Sequence, residues 1–266
     1  MRIKNPKPSV YYPELDRILK VNTILSSNMK LEVDKLNNYE VLGIQIAPSN
    51  IGGYEVCSMK SKQCDKHCIY ISGRGRFHAT KMARVARKLL FFQDRPLFIK
   101  KLKIEIFKAN IKAKKEGKKL AIRLNVFSDI IWEKIAPELF EQFNDVMFYD
   151  YTKIPSRLDK NRLPKNYHLT FSRSENTSDR MVQKIVNSGF NVAIPFFAKK
   201  NQLPKTFLDI PVIDGDNSDI RFLDSIGSIV GLSAKGSGKK DDSNGFIVNP
   251  NIPRELPRFL DSLQLV

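Results

Sequence analysis

Three thiols fall within one short stretch of this chain, Cys57-Ser58-Met59-Lys60-Ser61-Lys62-Gln63-Cys64-Asp65-Lys66-His67-Cys68, and no other cysteine occurs in its 266 residues. The spacing is Cys-x6-Cys-x3-Cys, with Gly52-Gly53 before it and Gly73 and Gly75 after it as turn formers. Thiols gather either to form disulfides or to bind soft metals. An odd number leaves one unpaired in any internal disulfide scheme. Iron–sulfur clusters and zinc both take thiolate ligands. The pattern points first to a [4Fe–4S] cluster held by Cys57, Cys64 and Cys68, one thiolate per iron. The fourth iron is then left for another protein group, water, a substrate or a cofactor. Zinc is the alternative. A closed structural zinc site wants four ligands, and His67 or His78 is the candidate for the fourth. A disulfide with a spare thiol and three inert cysteines are the readings without a metal.

A second set of polar residues sits where apolar runs end. Asn125, Ser128 and Asp129 follow one such run, Tyr151 and Lys153 another, and Ser172, Ser174 and Glu175 a third. Each set is placed to contact a ligand above the cysteine loop, and Lys153 suits an anion or carboxylate. Each also has a purely structural reading: Asp129 as a helix cap, Lys153 as a solvent-facing lysine, Ser172 to Glu175 as a helix start. Lys235 stands before Gly236-Ser237-Gly238-Lys239-Lys240, which fails the phosphate-loop pattern because Ser233 occupies the position of its first glycine. Backbone amides and Lys235 or Lys239 remain candidates for holding an anion. Asp214-Gly215-Asp216-Asn217-Ser218-Asp219 resembles a hard-cation loop but lacks the glycine and the later glutamate of an EF-hand.

The elements that must position these groups alternate. Residues 41–47 read as a strand stopped by Pro48, feeding the cysteine loop. Residues 77–93 read as a helix whose apolar side carries Met82, Val85, Ala86, Leu89, Leu90 and Phe92, with Lys81, Arg84, Arg87 and Lys88 as a charged outer face or, alternatively, with the two arginines facing an anion near the cluster. Pro96 opens a helix to Glu116 that Gly117 stops. Residues 120–127 form a strand, and Ile131 to Phe143 a helix that Pro137 kinks or divides. Strands follow at 146–151, 167–171, 191–197, 211–213 and 229–232, with a helix at 177–188. A further short helix is expected at Pro13 to Leu19. Strands separated by helices imply parallel neighbours. The fold expected is therefore α/β: a partial or complete (β/α) barrel, or an open doubly wound sheet, with the cluster loop after the first core strand. Ligands in such folds bind at the carboxyl ends of the strands.

No linker-like stretch divides residues 1–266, which read as one domain. Residues 1–40 form a lead-in, 49–76 the cluster-binding loop and 236–245 a flexible loop. There are 45 basic against 28 acidic residues, a formal net charge of +17. Such an excess suits a polyanionic partner such as nucleic acid. Much of it lies in lysines around 100–103 and 112–119, where the solvated face and end of a helix account for it. No apolar run approaches the ~20 residues of a membrane helix, so no membrane association is expected. The charged N-terminus lacks the apolar core of a signal peptide. The thiols are thus expected in a reducing cytoplasm.

Four stretches in order carry a family resemblance: the cysteine loop ending Cys68-Ile69-Tyr70, Arg123-Leu124-Asn125-Val126-Phe127-Ser128-Asp129, Phe148-Tyr149-Asp150-Tyr151-Thr152-Lys153, and Gly231-Leu232-Ser233-Ala234-Lys235-Gly236 with Ser243-Asn244-Gly245-Phe246. In these the chain resembles the gene-product-88 family of phage proteins. Membership implies a phage-encoded protein, working in the cytoplasm of the infected host cell, whose cysteines are suspected iron–sulfur ligands; it implies no particular activity. A weaker likeness connects the loop to radical S-adenosylmethionine enzymes, which hold a three-cysteine cluster after the first strand of a partial barrel. Their usual spacing is Cys-x3-Cys-x2-Cys, which this loop does not match. S-adenosylmethionine is accordingly a secondary cofactor candidate. The expectation is an iron–sulfur protein with an unknown small-molecule ligand at the open iron. The alternatives are a nucleic-acid- or protein-binding module with a structural or sensing cluster, and a zinc-clipped module.

Overall fold

The computed structural model describes residues 21–27, 38–199, 201–240 and 245–252. The helix expected at 13–19 lies outside the described residues, as do 241–244 of the expected flexible loop. The strands are β1 (Leu25–Ser26), β2 (Tyr39–Ile44), β3 (Lys119–Arg123), β4 (Met147–Thr152), β5 (Tyr167–Ser172), β6 (Val192–Phe196), β7 (Thr206–Phe207), β8 (Ile210–Asp214) and β9 (Ile229–Ser233). The α-helices are α1 (Lys62–Lys66), α2 (His78–Gln93), α3 (Arg95–Lys115), α4 (Trp132–Ile135), α5 (Glu138–Gln142) and α6 (Asp179–Asn187).

Local chemistry explains most boundaries. Asp94 accepts the Leu97 N–H and starts α3 with Pro96 in its first turn. Gly117 follows α3 at φ 68, a left-handed turn that L side chains resist. Pro137 divides the expected 131–143 helix into α4 and α5, because proline has no N–H to continue a helix.

The strands form one mostly parallel sheet in the order β1-β2-β3-β4-β5-β6-β9-β8-β7. From β2 to β6 every strand lies beside its predecessor and runs parallel to it. Crossovers of one hand that all step the same way put their helices on one face. On that face Ile44, Leu120, Ile122, Phe148 and Leu169 pack with Phe91 of α2, Phe98, Leu102 and Ile106 of α3, Trp132 of α4 and Leu139 of α5. Further along, Phe171, Val192, Ile194, Phe196 and Ile229 pack against Val182, Ile185 and Val186 of α6.

The opposite, inner face is narrower in apolar content. Val41, Ala121 and Tyr149 pack there under Ile220 and Phe222, from the segment between β8 and β9. The sheet is open. The outer edge of β2 takes antiparallel β1 and that of β8 takes antiparallel β7. No pairing among the described strands joins these two ends, so the complete barrel entertained from sequence is not formed by these pairings. Short antiparallel strands at both ends occupy the hydrogen-bonding groups that closure would use.

Candidate functional site

The cysteine loop runs from β2 to α2 and is built on a few buried anchors. Lys88 of α2 is wholly buried; its Nζ donates to the carbonyls of Ser49 at 2.6 Å and Ile51 at 2.8 Å. Burial lowers its pKa to about 8. Arg84, one helical turn earlier, donates to the Tyr70 carbonyl at 2.7 Å and to Gln45 Oε1 at 3.0 Å, and lies over the rings of Phe127 and Tyr70. These two side chains hold the two ends of the loop. Both are buried, so the charged outer face expected for α2 is wrong for Arg84 and Lys88. Their spacing of four residues, beside Val85 and Leu89, puts them on the core side of the helix.

Each thiol sits in its own backbone setting. The Ser49 N–H donates to Cys57 Sγ at 3.4 Å, and Cys57 Sγ lies 3.6 Å from the Phe127 carbonyl. Cys64 rides on α1, whose N-cap Ser61 accepts the Cys64 N–H at 3.1 Å. Cys68 Sγ takes a hydrogen bond from the backbone N–H of Tyr70. Burial pushes the Cys57 thiol up to about 12, and raises Cys64 and Cys68 as well. Charge on Cys64 or Cys68 would raise Cys57 further, so the three thiols lie within electrostatic reach of one another. Lys153 opposes the rise at Cys64, and Arg84 opposes it at Cys68. In the metal-free loop all three thiols are therefore protonated near neutral pH.

Among the described residues, no three His, Cys, Asp or Glu side chains converge as ligands for a single ion. His67 is buried; its Nδ1 lies 2.9 Å from Ser237 Oγ and its ring stacks on Phe246. His78 is exposed at the start of α2, in a groove with Val21, Thr23 and Met82. The donor chemistry still fits a thiolate-held cluster. Three half-buried sulfurs come from one loop, two of them accept backbone N–H groups, and cations stand beside two. N–H bonds to sulfur and neighbouring charge are the levers that tune such clusters.

The other residues singled out from sequence fall into three groups. Asn125 and Ser128 hold their own loop. Asn125 Oδ1 accepts from Ser128 Oγ, the Ile130 N–H and Trp132 Nε1, while Nδ2 donates to Ile130 O and Asp150 Oδ2. These contacts use both ends of the amide on the protein itself. Asp129 is not a helix cap, since α4 starts after Ile131. Its carboxylate instead accepts from Thr152 Oγ1, the Lys153 N–H and Arg157 Nη1 at 2.7–2.9 Å.

Lys153, Ser172 and Glu175 gather below the cysteine loop. Lys153 Nζ donates to Ser172 Oγ at 3.0 Å and to the carbonyls of Ser172 and Arg173, and lies over the Phe246 ring. It is half-buried rather than solvent-facing, and burial lowers its pKa. Glu175 reaches across 114 residues to accept from Ser61 Oγ at 2.5 Å and from the Gln63 N–H at 2.9 Å. It thereby fixes the N-terminus of the helix that carries Cys64. Ser174 is buried and accompanies Thr177, whose Oγ1 accepts the Ser174 N–H.

Tyr151 and Lys235 stand apart from that group. The Tyr151 ring lies under the Arg123 guanidinium on the inner face. Lys235 pairs with Asp216 at 2.7 Å. The acidic 214–219 loop is likewise used internally: Asp214 accepts the Asp216 N–H, Asp216 accepts the Ser233 N–H, and Asp219 pairs with Arg123.

A family model described as gene product 88 matches residues 18–250. The chain belongs to the gene product 88 family. The match takes in the cysteine loop and the three other stretches in which the resemblance was read. No curated protein and no solved structure matches the chain. The gene product 88 assignment thus names a lineage and no chemistry.

Proposed function

We propose that this gene product 88 protein holds a [4Fe–4S] cluster on Cys57, Cys64 and Cys68, at the mouth of a partial (β/α) barrel formed by β2 to β6. One iron would be left without a protein thiolate for a small-molecule ligand. When bound, such a cluster supplies redox or Lewis-acid chemistry. The observation that carries the reading is the grouping of all three thiols on one loop anchored over the carboxyl ends of parallel strands, the end at which α/β folds bind ligands. The chain's own residues have defined parts. Ser49 and Tyr70 direct N–H groups at sulfur, Lys153 and Arg84 place positive charge beside it, and Lys88 and Glu175 hold the loop in position. A thiolate-held cluster suits a reducing compartment, as the host cytoplasm would provide.

The test is a spectrum with iron and sulfide analysis of protein made without oxygen, with and without S-adenosylmethionine. A brown protein with matched iron and sulfide is expected. Colourless protein with stoichiometric zinc would eliminate the cluster and install the zinc-clipped reading. A spectral change on adding S-adenosylmethionine would identify that molecule as the ligand of the open iron.

The second reading is a binding module in which the cluster is a structural clip or sensor and nucleic acid is the partner. The net charge of +17 favours it.

A further inference from the structure

Helix α3 carries two apolar stripes. Phe98, Leu102, Ile106 and Ala113 are buried against the sheet and its neighbouring helices. Leu97, Ile104, Phe107 and Ile111 are exposed, and Phe107 keeps 59 % of its surface open. At 100° of turn per residue these four fall on the pole opposite the buried stripe. Leu97, Ile104 and Ile111 repeat at intervals of seven, and Phe107 lies three residues after Ile104 and four before Ile111, so the side chains form one row. The row is about 21 Å long at 1.5 Å per residue. Single exposed apolar residues are ordinary. A surface helix normally turns polar residues outward, and an apolar row rimmed by charge marks a contact surface.

Charge decides what can cover it. Lys101, Lys108 and Lys115 border the row on one side and Lys100 and Lys114 on the other. Lys101 reaches back to the Val21 carbonyl, and Lys114 pairs with Asp145. Lys100, Lys108 and Lys115 are exposed and make no ion pair among the described residues. Glu105 is the one acidic residue of α3, and it is spent elsewhere: its carboxylate accepts the N–H groups of Ile24 and Leu25. A second copy of this chain laid on the row, parallel or antiparallel, would set lysines against lysines. Nucleic acid would suit the lysines but gives Ile104 and Phe107 nothing apolar to pack on. An anionic lipid surface suits both, yet imposes no period. Spacing by seven is the repeat with which one helix packs along another.

We infer that the outer row of α3 docks an α-helix of another protein, one whose apolar face is bordered by Glu or Asp. Leu97, Ile104, Phe107 and Ile111 pack against that face, and Lys100, Lys108 and Lys115 meet its carboxylates. The inference does not depend on a cluster in the cysteine loop.

The test uses the full chain and a fluorescent peptide as long as α3, with Leu at the core positions of each heptad and Glu at the flanking ones. A twin peptide carries Lys in place of Glu. Anisotropy should show saturable binding of the Glu peptide in the micromolar range, as suits a small interface, with the Lys twin at least about tenfold weaker. Ile104→Ser combined with Phe107→Ser leaves the net charge unchanged and should weaken binding at least about tenfold while the Tm stays near that of the parent, since both sites are exposed. Ile111→Ser makes the same test should that pair fail to fold. Lys100→Glu with Lys108→Glu should move the preference towards the Lys twin. No saturable binding of the Glu peptide overturns the inference. Undiminished binding by the serine variants does so too, because it would show attraction to net charge alone. Sedimentation of the chain with phosphatidylglycerol vesicles through Ile104 and Phe107, without peptide binding, would replace the helix by a lipid surface. A dimer of the chain alone that the serine variants abolish would replace it by a second copy.

Discussion

Cys57 carries the sharpest residue-scale expectation. Burial drives its pKa from 9.0 to about 12, so a metal must displace a proton to bind there. Cys57→Ala, Cys64→Ala and Cys68→Ala should each reduce iron and sulfide content in protein made without oxygen. Unchanged iron in all three would remove these residues as ligands. Asp150 offers a second test, on the helix side of the sheet. It is wholly buried, accepts from Asn125 and from the Tyr167 hydroxyl, and burial raises its pKa from 3.8 to about 7. Between those values the folded chain holds a proton that the unfolded chain has released. That contribution to stability is complete below about pH 4 and fades as pH rises towards 7. Denaturant unfolding of the parent and of Asp150→Asn across this window should show the parent alone losing this increment. Parallel pH profiles for the two would refute the raised pKa.

At the scale of elements, α1 depends on a partner far away in the chain. Glu175 caps it from the loop after β5. Glu175→Ala should cost about 1–2 kcal/mol, the worth of a lost cap with a charged acceptor, and should lower iron loading more than it lowers Tm. Equal loading at equal protein would show that α1 positions Cys64 without help. Gly75 marks a second constraint. A Cβ there would meet the Tyr70 carbonyl oxygen at 2.1 Å, with Arg84 Nη1 behind it at 3.0 Å. Gly75→Ala should destabilise the chain by about 1–3 kcal/mol through overpacking, read as a fall in the denaturant midpoint; an unmoved midpoint would mean that the turn yields freely. The helices and strands themselves were largely legible, because α2, α3, α6 and β3 to β6 each follow local periodicity and the three helices stop at or just before Asp94, Gly117 and Gly189. The structural reading of Asp129 as a cap fails because a local rule fits it, while its actual partners, Thr152, Lys153 and Arg157, lie 23 to 28 residues on.

For the whole molecule, the balance of 45 basic to 28 acidic residues is the property to test. If nucleic acid is a partner, DNA or RNA affinity should be measurable at low salt and fall linearly with the logarithm of salt concentration as counterions are released. No binding at low salt would discard that reading and leave the small-molecule one.

Sequence alone determined that three thiols share one loop, that the loop follows the first parallel strand, and that strands alternate with helices, since spacing, turn formers and periodicity act over a few residues. Only the tertiary structure decided that the described strands form an open sheet. It also decided that Arg84 and Lys88 turn inward to hold the cysteine loop, and that Asp219 crosses the inner face to pair with Arg123. Those outcomes rest on contacts between groups about 40 to 100 residues apart, where burial and charge pairing in the folded chain override any preference a local segment can express.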